Sequence, residues 1–200
     1  MKGITESIRK KISTLPKGQI FSFDDFVDFG SYDTVKKVLY RLEKSGNISR
    51  VFDGLYTNPK ISKLTGDRVP INLEDIATYI AQKNLWTIVP SGLWCLNFLG
   101  LSTQLPGTFE YVSDGPYRTY NIRGTTLTFK HTAPAEVRNM SVRSQQVVQA
   151  IKTLGKDNIS KKDIIKLRNT LPNEDKEKLK TECKRVTKWV YSYIKEIAEN

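Results

Sequence analysis

Two hundred residues with 38% hydrophobic content can bury one sizeable core or two small ones, and a net charge of +11 predicts polyanionic partners. No run of eighteen apolar residues occurs, and the first thirty residues are polar and charged rather than a signal peptide, which excludes a membrane-spanning helix and points to the cytoplasm. Cys95 and Cys183 lie far apart in apolar surroundings and read as buried free thiols, not as a bridge or a metal site.

The charge is uneven. Residues 1–60 hold 11 basic and 7 acidic side chains, 61–134 hold 6 and 5, and 135–200 hold 15 and 9. Because phosphate neutralisation by Lys and Arg supplies most non-specific nucleic-acid affinity, this split predicts a DNA-binding head and a second basic surface on the tail.

Ile4, Ile8, Ile12 and Leu15 recur at helical spacing, so residues 4–15 form an amphipathic helix that Pro16 and Gly18 end. Gln19 to Phe23 reads as a short strand. Asp24 and Asp25 then open a brief helix carrying Phe26, Val27 and Phe29; adjacent aspartates also suit a metal, but no third ligand sits nearby and helix capping is the better account.

The next stretch, Gly30 to Pro59, organises the chain. Val35, Val38, Leu39 and Leu42 fall on one stripe of a helix over 31–45, with Ser31 placed to cap its start and Gly46 to stop it. The opposite face carries Asp33, Lys37, Tyr40 and Lys44, flanked by Lys36 and Arg41. Strand residues around Ile48, Val51 and Phe52 follow, Asp53-Gly54 suits a two-residue type I′ turn, and Leu55-Tyr56-Thr57 returns. Helix, strand, short helix, long helix and hairpin is the order of a winged helix-turn-helix over residues 1–58. Its predicted DNA contacts are Ser31, Lys36, Lys37, Tyr40, Arg41 and Lys44 on the helix and Arg50 on the wing.

Residues 59–71, rich in Pro, Gly and polar side chains, read as a linker to a second domain over 72–200. Asn72 caps a helix through Leu73, Ile76, Ala77 and Ile80. Trp86 to Val89 is a buried strand, and Ser91-Gly92 opens a short apolar helix that Gly100 ends. Thr108 to Val112, Tyr117 to Ile122 and Thr125 to Lys130 are predicted to form a small antiparallel meander, so the fold class is α+β with a helical tail. In that tail Val147, Val148, Ile151 and Leu154 mark one helix and Ile159, Ile164, Ile165 and Leu167 another. The last and longest helix is capped by Asn173; Leu179, Cys183, Val186, Val190, Tyr193 and Ile197 form a heptad-like seam, too short for a coiled coil and better packed on its own domain. Lys176, Lys180, Lys184 and Lys188 then share a ridge, which is the predicted partner surface of the tail.

Catalytic signals are absent from the pattern. His131, the one histidine, has no partner defined by spacing, and the chain lacks a phosphate-binding glycine loop, a CxxC pair and an HExxH helix. The expectation is therefore a non-enzyme without cofactor or metal. Arg118, Arg123, Lys130 and His131 are a weaker alternative: lining one side of the meander, they would recognise an anion or the partner.

These residues together resemble a family. Leu15-Pro16-Lys17-Gly18, Phe23-Asp24-Asp25-Phe26, Val35 to Gly46 and Gly54-Leu55-Tyr56 are similar to the winged-helix N-terminus of AbiEi-type antitoxins from bacterial abortive-infection systems, and Pro90-Ser91-Gly92, Leu96 to Gln104 and Ser113-Asp114-Gly115 resemble the second domain of that group. The resemblance implies a transcriptional autorepressor that binds duplex DNA at its own operator. It also implies a C-terminal domain that counters a nucleotidyltransferase-like toxin of the same operon, directly or, as in type IV systems, through a shared target. Two other functions fit the sequence: a winged-helix regulator that senses a small ligand, and an RNA-directed protein using its basic tail.

Overall fold

The computed structural model describes residues 2–104, 106–134 and 137–199, and the chain divides into two compact units between Ile80 and Ala81. The architecture is mixed α+β.

In the first unit, helix α1 (Lys2–Thr14) buries Ile8 and Ile12 and ends where Pro16 and Gly18 follow. Strand β1 (Ile20–Phe21) leads into a 3-10 helix (Phe23–Phe29). Ser22 caps that helix: its hydroxyl accepts the Asp24 N–H at 3.2 Å, and the Asp25 carboxylate accepts the Ser22 N–H at 2.7 Å, so the aspartate pair does capping work. Helix α2 (Tyr32–Lys44) buries the predicted stripe of Val35, Val38, Leu39 and Leu42 against Ile8, Phe21, Phe26 and Ile48. Gly46, at φ 75°, takes the left-handed step that ends it.

Strands β2 (Ser49–Phe52) and β3 (Leu55–Thr57) form the hairpin, and β1 pairs on the far side of β3, giving the order β1-β3-β2. The turn departs from type I′. Gly54 has φ 70°, whereas Asp53 is not among the positive-φ residues, and the register slips between Arg50 and Phe52. A bulge there absorbs the extra residue that a I′ turn would not need.

The 59–71 stretch is tied down rather than free. Ile61 bridges Arg68, and the Arg68 guanidinium donates to Ser49 Oγ at 2.8 Å and to the Gly46 carbonyl at 3.1 Å. Helix α3 (Leu73–Lys83) follows; its Tyr79 hydroxyl donates to Asp25 at 2.7 Å. That bond places most of α3 with the first unit, so the division lies inside the helix.

The second unit holds β4 (Ile88–Ser91), α4 (Gly92–Phe98), β5 (Thr108–Ser113), β6 (Arg118–Ile122) and β7 (Thr125–His131). The meander is corrected: the sheet order is β4-β5-β7-β6, with β5 parallel to β7. The four-residue segment after β5 steps across the end of β7 and delivers β6 to the outer edge, and the chain then returns through Arg123-Gly124 into the middle. Both turn residues have positive φ, 52° and 83°, so this hairpin has the backbone sign of a I′ turn. Local alternation placed β5, β6 and β7 correctly, whereas the strand expected at Trp86 to Val89 runs Ile88–Ser91, and alternation says nothing about which strand pairs with which.

Helix α5 (Val142–Leu154) runs through the centre of the second core, with α7 (Asn173–Glu182) and α8 (Lys188–Ala198) packed against it and α6 (Lys161–Thr170) packed on α8. The predicted single final helix is broken. Cys183–Arg185 make a 3-10 turn, Val186 is extended at φ −73° and ψ 169°, and Thr187 starts α8. The Tyr191 hydroxyl consequently reaches the Lys180 carbonyl at 3.2 Å, whereas a continuous helix would separate those residues by about 16 Å along its axis. The seam survives because Leu179, Cys183, Val190 and Ile197 enter one core from two folded-back helices. Among the described residues no helix is long and apolar enough to cross a membrane.

Candidate nucleic-acid interface

The solvent face of α2 is set by its buried stripe. With Val35, Val38, Leu39 and Leu42 turned inward, Lys36, Lys37, Tyr40, Arg41 and Lys44 are all exposed. Lys36, Lys37, Tyr40 and Arg41 line a cleft of about 620 Å³ together with Arg50 from β2, Asp33, Glu43 and Tyr56. Helix face and hairpin therefore share one concave surface in which four cations outnumber two carboxylates.

Aromatic rings lie against two of the helix's cations, one of which lines the cleft. The Lys36 ammonium lies 5.5 Å from the Tyr32 ring centre, and Lys44 lies at the same distance from the Tyr40 ring. Tyr32 packs edge-on against Phe23 at 4.4 Å, which anchors the pair to the 3-10 helix. A smaller cleft of about 240 Å³ continues between Phe23, Tyr32, Lys36 and the hairpin residues Arg50, Asp53, Gly54 and Tyr56. Burial raises the pKa of the Tyr56 hydroxyl above its ordinary value.

The predicted contacts do not all behave alike. Ser31 sits at the helix start, but its hydroxyl pairs with Thr34 Oγ1 at 3.0 Å and caps no backbone N–H. Lys44 lies at the far end of the helix and lines neither cleft. Arg50 is not a free cation: its guanidinium forms an ion pair with Asp53 at the hairpin tip, and its side chain is 47% exposed. Two residues escaped the sequence reading. Tyr32 stood outside the polar face it supports, and Arg68 lay in the apparent linker although it braces the end of α2 and β2.

The tail residues are rearranged. Arg118 pairs opposite Phe129 and shares its side of the sheet, so Lys130, one residue on, faces the other way and binds Glu110 at 2.7 Å. Arg118, Lys130 and His131 thus do not line one side, and the His131 ring is engaged by the Gly115 carbonyl. On α7, Lys180 pairs with Glu177 at 2.8 Å and Lys178 with Glu174 at 2.6 Å. The helix break separates Lys180 from Lys184 and Lys188, dissolving the ridge. Among the described residues no group of three or more His, Cys, Asp or Glu side chains is placed to hold a metal ion.

Residues 7–179 match the model of DUF6088, a family of unknown function. No curated protein matches the chain. Among solved structures, the RV2827C protein from Mycobacterium tuberculosis is similar, at 10% identity and a TM-score of 0.50 over 98% of this chain and 76% of that one. At that identity the likeness concerns the fold alone.

Proposed function

The chain belongs to the DUF6088 family, whose function is unknown, and we propose that it is a DNA-binding transcriptional repressor of the winged helix-turn-helix type that serves as an antitoxin. Helix α2 enters a major groove about 12 Å wide while the β2-β3 hairpin lies along the phosphates. The observation that carries this reading is the convergence of Lys36, Lys37, Tyr40, Arg41 and Arg50 on one cleft. Phosphate contacts from these cations supply most of the affinity and position the helix for base edges. The protein needs no catalytic group or cofactor for this role, and it works in the cytoplasm.

The antitoxin half rests on the AbiEi-like order of motifs, from Leu15-Pro16-Lys17-Gly18 to Ser113-Asp114-Gly115. Its partner is a nucleotidyltransferase-like toxin from the same operon, met directly or through a shared target.

The DNA half is tested by fluorescence anisotropy of the full chain on duplex from upstream of its own gene. Lys37→Ala should weaken binding and reduce the slope of log K against log salt by about one unit. Unchanged affinity and slope across Lys36, Lys37, Arg41 and Arg50 variants would sink the assignment. The antitoxin half is tested separately, by growth rescue on co-expression with an adjacent nucleotidyltransferase-like frame; no rescue removes that half and leaves DNA binding standing.

A further inference from the structure

The basic residues of the second unit are not equivalent once their partners are considered. On α7, Lys178 and Lys180 pair with glutamates of their own helix. On α6 the lysines do not. Lys161, Lys162 and Lys166 are exposed, and none makes an ion pair among the described residues. The helix's only acid, Asp163, is already committed: its carboxylate accepts the Ser160 N–H at 3.0 Å and the Ser160 hydroxyl at 2.6 Å, closing the capping box. With Ile164 and Leu167 facing the core, the outward stripe reads Lys161, Lys162, Ile165, Lys166 and Asn169. Ile165 sits in its middle, 53% exposed, and the Lys166 stem passes close to Gly100 at the end of α4.

We infer that this face of α6 is a docking surface for an acidic protein segment carrying an apolar anchor. Uncompensated lysines favour a carboxylate-rich partner, and an isoleucine ringed by cations has the layout of an interface with an apolar centre and a charged rim. A phosphate backbone would satisfy the lysines but offer nothing to Ile165. The inference is independent of the DNA-binding reading, which concerns α2 and β2 alone.

The test titrates the isotope-labelled full chain with three probes followed by NMR: an acidic amphipathic helical peptide with leucines among glutamates, the same peptide with glutamine at each leucine, and a mixed-sequence DNA duplex. The leucine peptide should shift the α6 amide signals and the Ile165 methyls, and the glutamine version should bind about tenfold more weakly. Lys162→Glu with Lys166→Glu, and Ile165→Gln separately, should each weaken the leucine peptide by about tenfold. These side chains point outward, and unchanged thermal unfolding confirms that the variants fold. Absence of α6 shifts with the leucine peptide, equal binding of both peptides, or affinity unmoved by the variants overturns the inference. A duplex that shifts α6 more than the leucine peptide overturns it too, and reassigns the face to nucleic acid.

Discussion

Nδ1 of His131 lies 2.8 Å from the Gly115 carbonyl oxygen, so the one histidine fastens the segment that steps over the end of its own strand. Gly115 has no room for a side chain there: a Cβ would sit 2.4 Å from the Trp86 ring, which packs on Phe129. Gly115→Ala should therefore destabilise the second unit by about 1–3 kcal/mol, and His131→Ala, which removes one hydrogen bond, by about 1 kcal/mol. Urea midpoints of the two variants check the order, and a neutral Gly115→Ala contradicts the close packing.

Asp114, on the same segment, has a carboxylate side chain only 1% exposed. It accepts the Thr87 N–H at 2.8 Å and the Arg138 guanidinium at 2.6 Å. Burial alone would raise its pKa, but the Thr87 amide and Arg138 outweigh it and hold the carboxyl below its usual value. The folded pKa is below the unfolded value of about 3.9, so this contribution is present above about pH 4 and is lost as pH falls through the folded pKa. Asp114→Asn should flatten the acid limb of a stability profile measured from about pH 2 to 6. An acid limb identical to wild type would show that the carboxylate is not its source.

Burial pushes both thiols up to about 12, with Glu182 adding to the effect at Cys183. At about pH 8 the thiolate fraction is then roughly one in ten thousand. A thiol-reactive chromogenic disulfide should find neither cysteine in the native protein and both after denaturation. Prompt reaction of the native chain would refute the buried placement.

Arg68 and Tyr79 tie later residues onto the first unit, through Ser49, Gly46 and Asp25. A fragment of residues 1–60 loses all three ties and should be less stable than residues 1–83 by about 2 kcal/mol. It should retain only weakened DNA binding. Equal denaturation midpoints for the two fragments would mean that the 61–83 segment contributes nothing to the fold.

The Arg50–Asp53 pair is exposed on both sides and worth little to stability. Under the DNA-binding proposal Asp53 competes with phosphate for Arg50, so Asp53→Asn should tighten duplex binding several-fold with no loss of thermal stability. Arg50→Ala should weaken it. Weaker binding by Asp53→Asn would instead make the ion pair a support for the productive wing.

Elements that follow from local chemistry were legible in the chain. The stripe of Val35, Val38, Leu39 and Leu42, the stop at Gly46, the hairpin around Gly54 and the positions of β5, β6 and β7 all depend on side-chain period and on backbone freedom within a few residues. The orientation of α2, with Lys36, Lys37 and Arg41 outward, follows from that period as well. What the tertiary structure decided is non-local. Parallel pairing of β5 with β7 depends on a segment crossing a strand end under Trp86, and it sends Arg118 and Lys130 to opposite faces. The heptad-like spacing from Leu179 to Ile197 is satisfied equally by one straight helix or by two that fold back on each other; Val186 and the packing of Tyr191 on Lys180 select the second. A periodic pattern specifies which face is buried, but the neighbour it is buried against is chosen only when distant segments meet.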